Sequence, residues 1–351
     1  MRLLVLPGDG IGPEITSAAM QVLAALDAER NLGLDFEHDL IGHDSLAKHG
    51  STLRPELIER LPTYDGIILG PADTAAYPPV EQGGVNPSAY LRTKLDLYAN
   101  IRPARTPPGA ARPFDLVIVR ELTEGFYADR NMAEGNADLL ATPDVAISLR
   151  KVTRHASERI ARRAFELAMT RDRRVTAVHK SNVFKRGDGL FLDAVRSVAR
   201  DFPEVTLDDI LVDAMAAWLV RAPDRFDVIV TGNLYGDILS DLATELSGSL
   251  GLAGSIMAGD SLCAAQAQHG SAPDIAGQDQ ANPASMILSI ALLLDWLGAR
   301  HTRPGLTAAA RAMTTALDRV LAEPATRTAD LGGPLGTAAF GAAVTQAVLA
   351  G

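Results

Sequence analysis

The chain has 351 residues, 47% of them hydrophobic and 22% charged, which is enough apolar material for two folded domains and too much for a disordered chain. A formal net charge of −10 argues against a nucleic-acid partner, because neutralising phosphates requires a basic surface. The single cysteine, Cys263, excludes an internal disulfide and a cysteine-based metal site; the N-terminal apolar run is too short for a signal peptide and no run elsewhere is long enough for a membrane span, so a cytoplasmic location is expected.

Short apolar runs alternate with amphipathic stretches, the pattern of an α/β protein. Leu3–Leu6 reads as a buried strand, followed by a glycine turn and a helix from about Pro13 to Glu29. Further strands are expected at Gly66–Leu69, Leu116–Val119, Val145–Leu149, Val175–Val178 and Val228–Val230. Helices are expected at 153–170, 187–200, 211–220, 235–246, 283–297 and 306–321. The Pro- and Ala-rich stretch 103–113 reads as a connection, and glycines at 248, 251 and 254 mark a second break. The two breaks bracket a middle block, so the expected organisation is a discontinuous domain of 1–97 and 248–351 with 98–247 inserted.

The motifs fall at the ends of these elements. Gly8-Asp9-Gly10-Ile11-Gly12 follows a strand and opens a helix, but its spacing is not that of a Rossmann loop, and a tight turn explains it as well as a ligand loop does. Arg92, Arg102 and Arg120 are more informative: Arg120 closes the apolar run Leu-Val-Ile-Val, and three guanidinium forks together would hold a polyanionic acid, whereas any one alone reads as a surface or ion-paired arginine. Asp237 and Asp241 lie four apart on an expected helix, so both carboxylates leave one face, where a Mg²⁺ or Mn²⁺ ion would relieve their repulsion. Helix-dipole compensation is the plainer explanation of Asp237 and a poorer one of Asp241. Asp213 opens an apolar helix, where a charge is expected to be costly without a partner. Lys180 ends a strand in a chain with five lysines and 28 arginines, and lysine, unlike arginine, can release a proton. Tyr127, seven residues after Arg120, is a candidate proton donor. In the turn-rich loop 269–277, Asp274 is placed to accept hydrogen bonds from ribose hydroxyls and to repel a 2′-phosphate.

The order of these motifs along nearly the whole chain resembles the metal-dependent β-decarboxylating dehydrogenases, the isocitrate/3-isopropylmalate dehydrogenase family, which includes homoisocitrate and tartrate/malate enzymes. The series runs from Gly-Asp-Gly-Ile-Gly-Pro-Glu at 8–14 through Arg92, Leu-Tyr-Ala-Asn-Ile-Arg-Pro at 97–103 and Arg-Glu-Leu-Thr-Glu-Gly-Phe-Tyr at 120–127. It continues with His-Lys-Ser-Asn at 179–182, Asp-Ala-Met at 213–215, Gly-Asp-Ile-Leu-Ser-Asp at 236–241 and His-Gly-Ser-Ala-Pro-Asp-Ile-Ala-Gly at 269–277.

The resemblance implies a two-domain α/β fold with a large shared twisted sheet, not a Rossmann domain. It also implies a homodimer with active sites shared between subunits, Lys180 and Asp213 being contributed by the neighbour. It assigns Asp213, Asp237 and Asp241 to Mg²⁺ or Mn²⁺, Arg92, Arg102 and Arg120 with Asn86 and Ser88 to a small polycarboxylate, and Lys180 and Tyr127 to proton transfer. It assigns Ile11, His269, Gly270, Ser271, Ala272, Asp274, Ile275 and Asn282 to NAD; NADP-using relatives tend to carry Lys-Tyr at the positions of Asp274 and Ile275.

The implied reaction is oxidation of a 2-hydroxy acid followed by loss of CO₂. Isopropylmalate enzymes have a Leu-Leu pair where this chain has Ser88 and Ala89, so a polar third substituent is expected, as in isocitrate or homoisocitrate. An isopropylmalate or D-malate/tartrate enzyme is the alternative among enzymes, and a regulatory subunit of the same fold is the alternative without catalysis. Two departures bear on the site: Ala128-Asp129-Arg130 after Tyr127, and Gln266-Ala267-Gln268 where the family has Glu-Pro-Val.

Overall fold

Leu3, Leu4, Val5 and Leu6 are all buried, as a strand covered on both faces must be, and they belong to β1 (Arg2–Leu6) in a computed structural model that describes residues 1–127 and 137–351. The chain divides into two units, the first comprising Met1–Leu91, Pro107–Ala111 and Gly248–Gly351, the second Arg92–Thr106 and Arg112–Ser247.

In the first unit β1 lies between β2 (Asp35–His38) and β3 (Gly66–Leu69), parallel to both, and β12 (Cys263–Gln266) continues the sheet beside β3 and pairs antiparallel with β11 (Ile256–Ala258). Helices α1 (Gly12–Arg30), α9 (Ala284–Arg300), α10 (Pro304–Ala322) and α11 (Thr337–Leu349) bury long apolar faces here. Pro13 sits at the second position of α1, where a missing N–H costs nothing. Three short helices, α2 (Gly42–His49), α3 (Pro55–Arg60) and α4 (Pro87–Lys94), complete the first third of the chain.

In the second unit the strand order is β4 (Ala99–Arg105), β5 (Asp115–Glu121), β10 (Val228–Thr231), β8 (Arg174–His179), β9 (Thr206–Leu211). Among these five strands only the β4–β5 pair is antiparallel. Two helices cover each face. Val117 and Val119 pack with Ile160 and Phe165 of α5 (Arg154–Met169) and Phe191 and Val195 of α6 (Gly187–Ala199). Leu116 and Ile118 pack with Met215 and Leu219 of α7 (Val212–Arg221) and Leu239 and Ala243 of α8 (Asn233–Ser247). Strand alternation therefore continues the series 116, 118 to Arg120 on the α8 face, and Arg102, paired across from Ile118, shares that face.

Two sequence expectations change. Residues 103–105 are the end of β4 and not a connection, with Pro103 opposite Val117. Val145–Leu149 does contain a strand, β7 (Val145–Ser148), but it forms an exposed hairpin with β6 (Asp138–Thr142) outside the parallel sheet, showing Leu139, Leu140, Val145, Ile147 and Leu149 to solvent.

Candidate active site

The amino-terminal turns of α8 lie over Arg102 in the middle of β4 and Arg120 near the end of β5. Arg120 is 2% exposed; its Nε and Nη2 donate to Asn233 Oδ1 at 3.0 and 2.6 Å, and its Nη1 donates to Asp237 Oδ1. Arg102, also buried, donates from Nη1 to Ser240 Oγ at 2.6 Å and reaches Asp237 and Asp241 at 3.3 and 3.4 Å. Four of the expected residues thus form one cluster. Burial pulls the Arg102 guanidinium below its ordinary range, while Asp237 and Asp241 oppose that shift. The nearby Tyr127 hydroxyl acts on Arg102 in the same sense as the two aspartates, and its ring is half-buried.

A divalent cation fits the donor set on α8. Asp237 and Asp241 are one turn apart, their side chains are 37% and 57% exposed, and hard cations such as Mg²⁺ are commonly held by one or two carboxylates with the remaining positions left to substrate and water. Among the described residues no group of three His, Cys, Asp or Glu side chains is placed to hold a metal within one chain.

Asp213 stands apart from that pair. It lies in the first turn of α7 with its side chain 65% exposed, and Lys180 Nζ donates to its Oδ1 at 2.6 Å. The expected cost of a buried charge does not arise, because the position faces solvent. The Lys180 hydrogen bond holds the Asp213 carboxyl below the usual carboxylate range. The Lys180 turn itself is fixed from behind: its backbone N–H donates to the buried Asp188 at 2.5 Å, Arg150 pairs with Asp188 at 2.5 Å, and Ser181 N–H donates to Nδ1 of His179. Sequence reading had no signal for Asp188, an ordinary first-turn acid on α6.

The remaining substrate candidates have structural partners. Arg92 is half-buried in the last turn of α4. Asn86 Oδ1 accepts from Ala89 N–H at 3.0 Å and so caps α4, and Ser88 Oγ accepts from Gln266 Nε2 at 2.8 Å. The departure at Gln266 thus has a partner, whereas Ala128-Asp129-Arg130 lies outside the described residues.

The dinucleotide candidates of the first unit are built largely from backbone. Ile11 N–H donates to Ser271 O at 2.8 Å, and a Cβ on Gly10 would lie 1.9 Å from that same oxygen, so only glycine permits the approach at φ +59°. Ala272 is also left-handed, at φ +36°, and leads into the turn carrying Asp274 and Ile275, where the Asp274 side chain is exposed. His269 lies beside Gly270; its Nε2 is buried with no hydrogen-bond partner, an orphan that a bound polar ligand would satisfy, so these residues fit a dinucleotide. Burial lowers the His269 imidazole from its ordinary value, against the Gly270 hydrogen bond and Asp330. Asn282 Oδ1 accepts from Ala284 N–H at the start of α9, and its Nδ2 donates to Asp330 at 3.0 Å. Asp330, which also accepts from Ser249 Oγ at 2.8 Å, escaped the sequence reading because it lies about fifty residues beyond the motif it supports.

Comparison with known proteins shows the family. A family model described as isocitrate/isopropylmalate dehydrogenase matches residues 2–348. An isocitrate/homoisocitrate dehydrogenase of Thermus thermophilus is 44% identical over 99% of this chain and 98% of that protein. A 3-isopropylmalate dehydrogenase of Archaeoglobus fulgidus is 40% identical over 97% of each. The crystal structure of isocitrate dehydrogenase from Methylococcus capsulatus matches with a TM-score of 0.86 at 36% identity, covering 99% of both chains.

Proposed function

Because the chain belongs to the isocitrate/isopropylmalate dehydrogenase family of decarboxylating dehydrogenases, we propose that it oxidises and decarboxylates an isocitrate- or homoisocitrate-like 2-hydroxy acid, with NAD as acceptor and Mg²⁺ or Mn²⁺ as cofactor. The observation that carries this reading is the cluster of Arg102 and Arg120 with Asp237 and Asp241: two buried cations beside two partly exposed carboxylates. Such a site accepts an anion at the guanidinium forks and a cation at the carboxylates.

On this reading Arg102 and Arg120, joined by Arg92, hold substrate carboxylates and set the orientation of C2. Asp237 and Asp241, with Asp213 of the partner subunit, would hold the divalent ion, which would supply Lewis acidity to the substrate. Lys180 Nζ of the partner subunit, once it has released a proton to solvent past the exposed Asp213 carboxylate, takes up the C2 hydroxyl proton as hydride leaves C2. The Tyr127 hydroxyl returns a proton to the carbon that has lost CO₂. Ile11, the 269–275 segment and Asn282 would hold NAD, which would supply the hydride acceptor, and the exposed Asp274 carboxylate would favour it over NADP by repelling a 2′-phosphate.

The polar pair Ser88–Gln266 supports a polar third substituent over an isopropyl group. The homodimer is supported by apolar side chains left in solvent on the β6–β7 hairpin and by Val220 and Ile238 on α7 and α8. The test is NADH formation with Mg²⁺ or Mn²⁺ across 2-hydroxy di- and tricarboxylates. Turnover of isocitrate or homoisocitrate with stoichiometric CO₂ is the expected result; NAD binding without turnover of any member would point to a regulatory subunit.

A further inference from the structure

We propose that Asn233 is a positioning residue for Arg120, fixing which edge of its guanidinium meets the substrate; the substrate part of this statement rests on the polycarboxylate reading above. A guanidinium is a rigid plane with a side edge, Nε and Nη2, and an end bearing Nη1. Asn233 Oδ1 accepts from both atoms of the side edge, at 3.0 and 2.6 Å, and Nη1 is thereby directed to Asp237. Asn233 is 1% exposed and Arg120 2%, so neither side chain has water as an alternative partner.

Gly236 completes the enclosure. A Cβ there would lie 2.6, 2.7 and 3.1 Å from Cγ, Cβ and Cδ of Arg120, so the arginine stem passes α8 only where the helix has no side chain. Asn233, Gly236 and Asp237 stand at i, i+3 and i+4, one face of the helix, and all three bound the same arginine. The spacing Asn-x-x-Gly-Asp is thereby accounted for.

Chemistry fixes the sense of the amide. A guanidinium only donates, so the oxygen must face it. The other atom, Nδ2, is buried without a hydrogen-bond partner, and Asn233 lines a cavity of about 30 Å³ to which Glu121, Glu124 and Asp188 but also Arg150 and Lys151 contribute. A neutral oxygen also holds the fork without cancelling its charge. An aspartate at 233 would keep the geometry but draw the positive charge away from the substrate.

The experiment compares Asn233→Ala, Asn233→Asp, Arg120→Lys and the Ala/Lys double variant. In ligand-free protein, nitrogen-15 NMR follows solvent exchange of the Arg120 Nε–H, assigned by its loss in Arg120→Lys. Kinetics follow KM for the tricarboxylate substrate, with KM for NAD as the control. Asn233→Ala is expected to accelerate exchange and to raise the tricarboxylate KM about tenfold while leaving the NAD value unchanged. In the Arg120→Lys background the same change should add little, because lysine has no side edge to hold. Asn233→Asp should keep exchange slow yet still raise KM, which serves the test if the alanine variant does not fold.

Unchanged exchange in Asn233→Ala overturns the proposal, as does accelerated exchange or an unchanged tricarboxylate KM in Asn233→Asp. So does an Asn233→Ala effect that multiplies equally in both backgrounds, since that would describe a role in starting α8 alone. If the wild-type enzyme turns over no polycarboxylate, the functional reading falls, and the exchange measurement by itself still decides whether Asn233 holds Arg120.

Discussion

Arg120 and Asp237 meet through side chains under a helix, whereas Ile11 and Ser271 meet through backbone atoms, and the two arrangements respond differently to substitution. In the first, charge is the structural element: each buried guanidinium is tolerated because a carboxylate or amide oxygen faces it, so removing one partner leaves an uncompensated ion. In the second, shape is the structural element: Gly10 and the left-handed Ala272 permit contacts that no side chain mediates, and charge enters only at the exposed Asp274. Substitutions in the α8 cluster should therefore act on turnover and metal affinity, and those in the 269–282 region on cofactor choice.

The largest effect is expected at Asp237. Asp237→Asn should reduce kcat/KM by about a hundredfold or more while circular dichroism shows an unchanged fold, since that carboxylate is partly exposed and is the proposed cation ligand, not part of the core. Wild-type rates in this variant would erase the contrast between the two regions. Gly236→Ala comes next: overpacking against the Arg120 stem should cost about 1–3 kcal/mol in a denaturant titration and raise the substrate KM as well. A Gly236→Ala protein as stable as wild type would mean that α8 shifts away freely.

In the first unit, Asp274→Lys combined with Ile275→Tyr should move the ratio of kcat/KM for NADP over NAD upward by about tenfold or more, with the tricarboxylate KM unaffected. A smaller effect concerns His269, whose imidazole burial keeps neutral. Its folded pKa is depressed, so the unfolded chain binds the proton first as pH falls; the stability tied to this group is present above about pH 6.5 and is lost below it. Thermal denaturation from pH 7 to pH 5 should consequently show a shallower loss in His269→Gln than in wild type, and parallel curves would place the lost stability elsewhere.

The legibility of the two regions also differs, for physical reasons. Buried parallel strands are continuous apolar runs, so β1, β3, β5, β8 and β10 stand out, and Arg120 near the end of β5 and Lys180 just after β8 mark where the apolar runs stop. β4 does not stand out because Pro103, which lacks an N–H, and two arginines interrupt it; β9 does not because Asp208 and Asp209 break its pattern. Asp237 and Asp241 were readable from helical spacing, and Asn233 stood in the same motif, yet its role required the fold, since its partner Arg120 is 113 residues away in sequence. The exposure of Asp213 and of the β6–β7 hairpin could not be read from hydrophobicity, because both sequences look like buried elements.

The central claim is that the start of α8 holds a divalent cation next to a polycarboxylate. The direct measurement is Mn²⁺ binding followed by water-proton relaxation, with and without a tricarboxylate, in wild-type and Asp237→Asn protein. The account predicts one Mn²⁺ per chain in the wild type, tightened by the tricarboxylate, and loss of that site in the variant. Equal Mn²⁺ binding by the two proteins would contradict it.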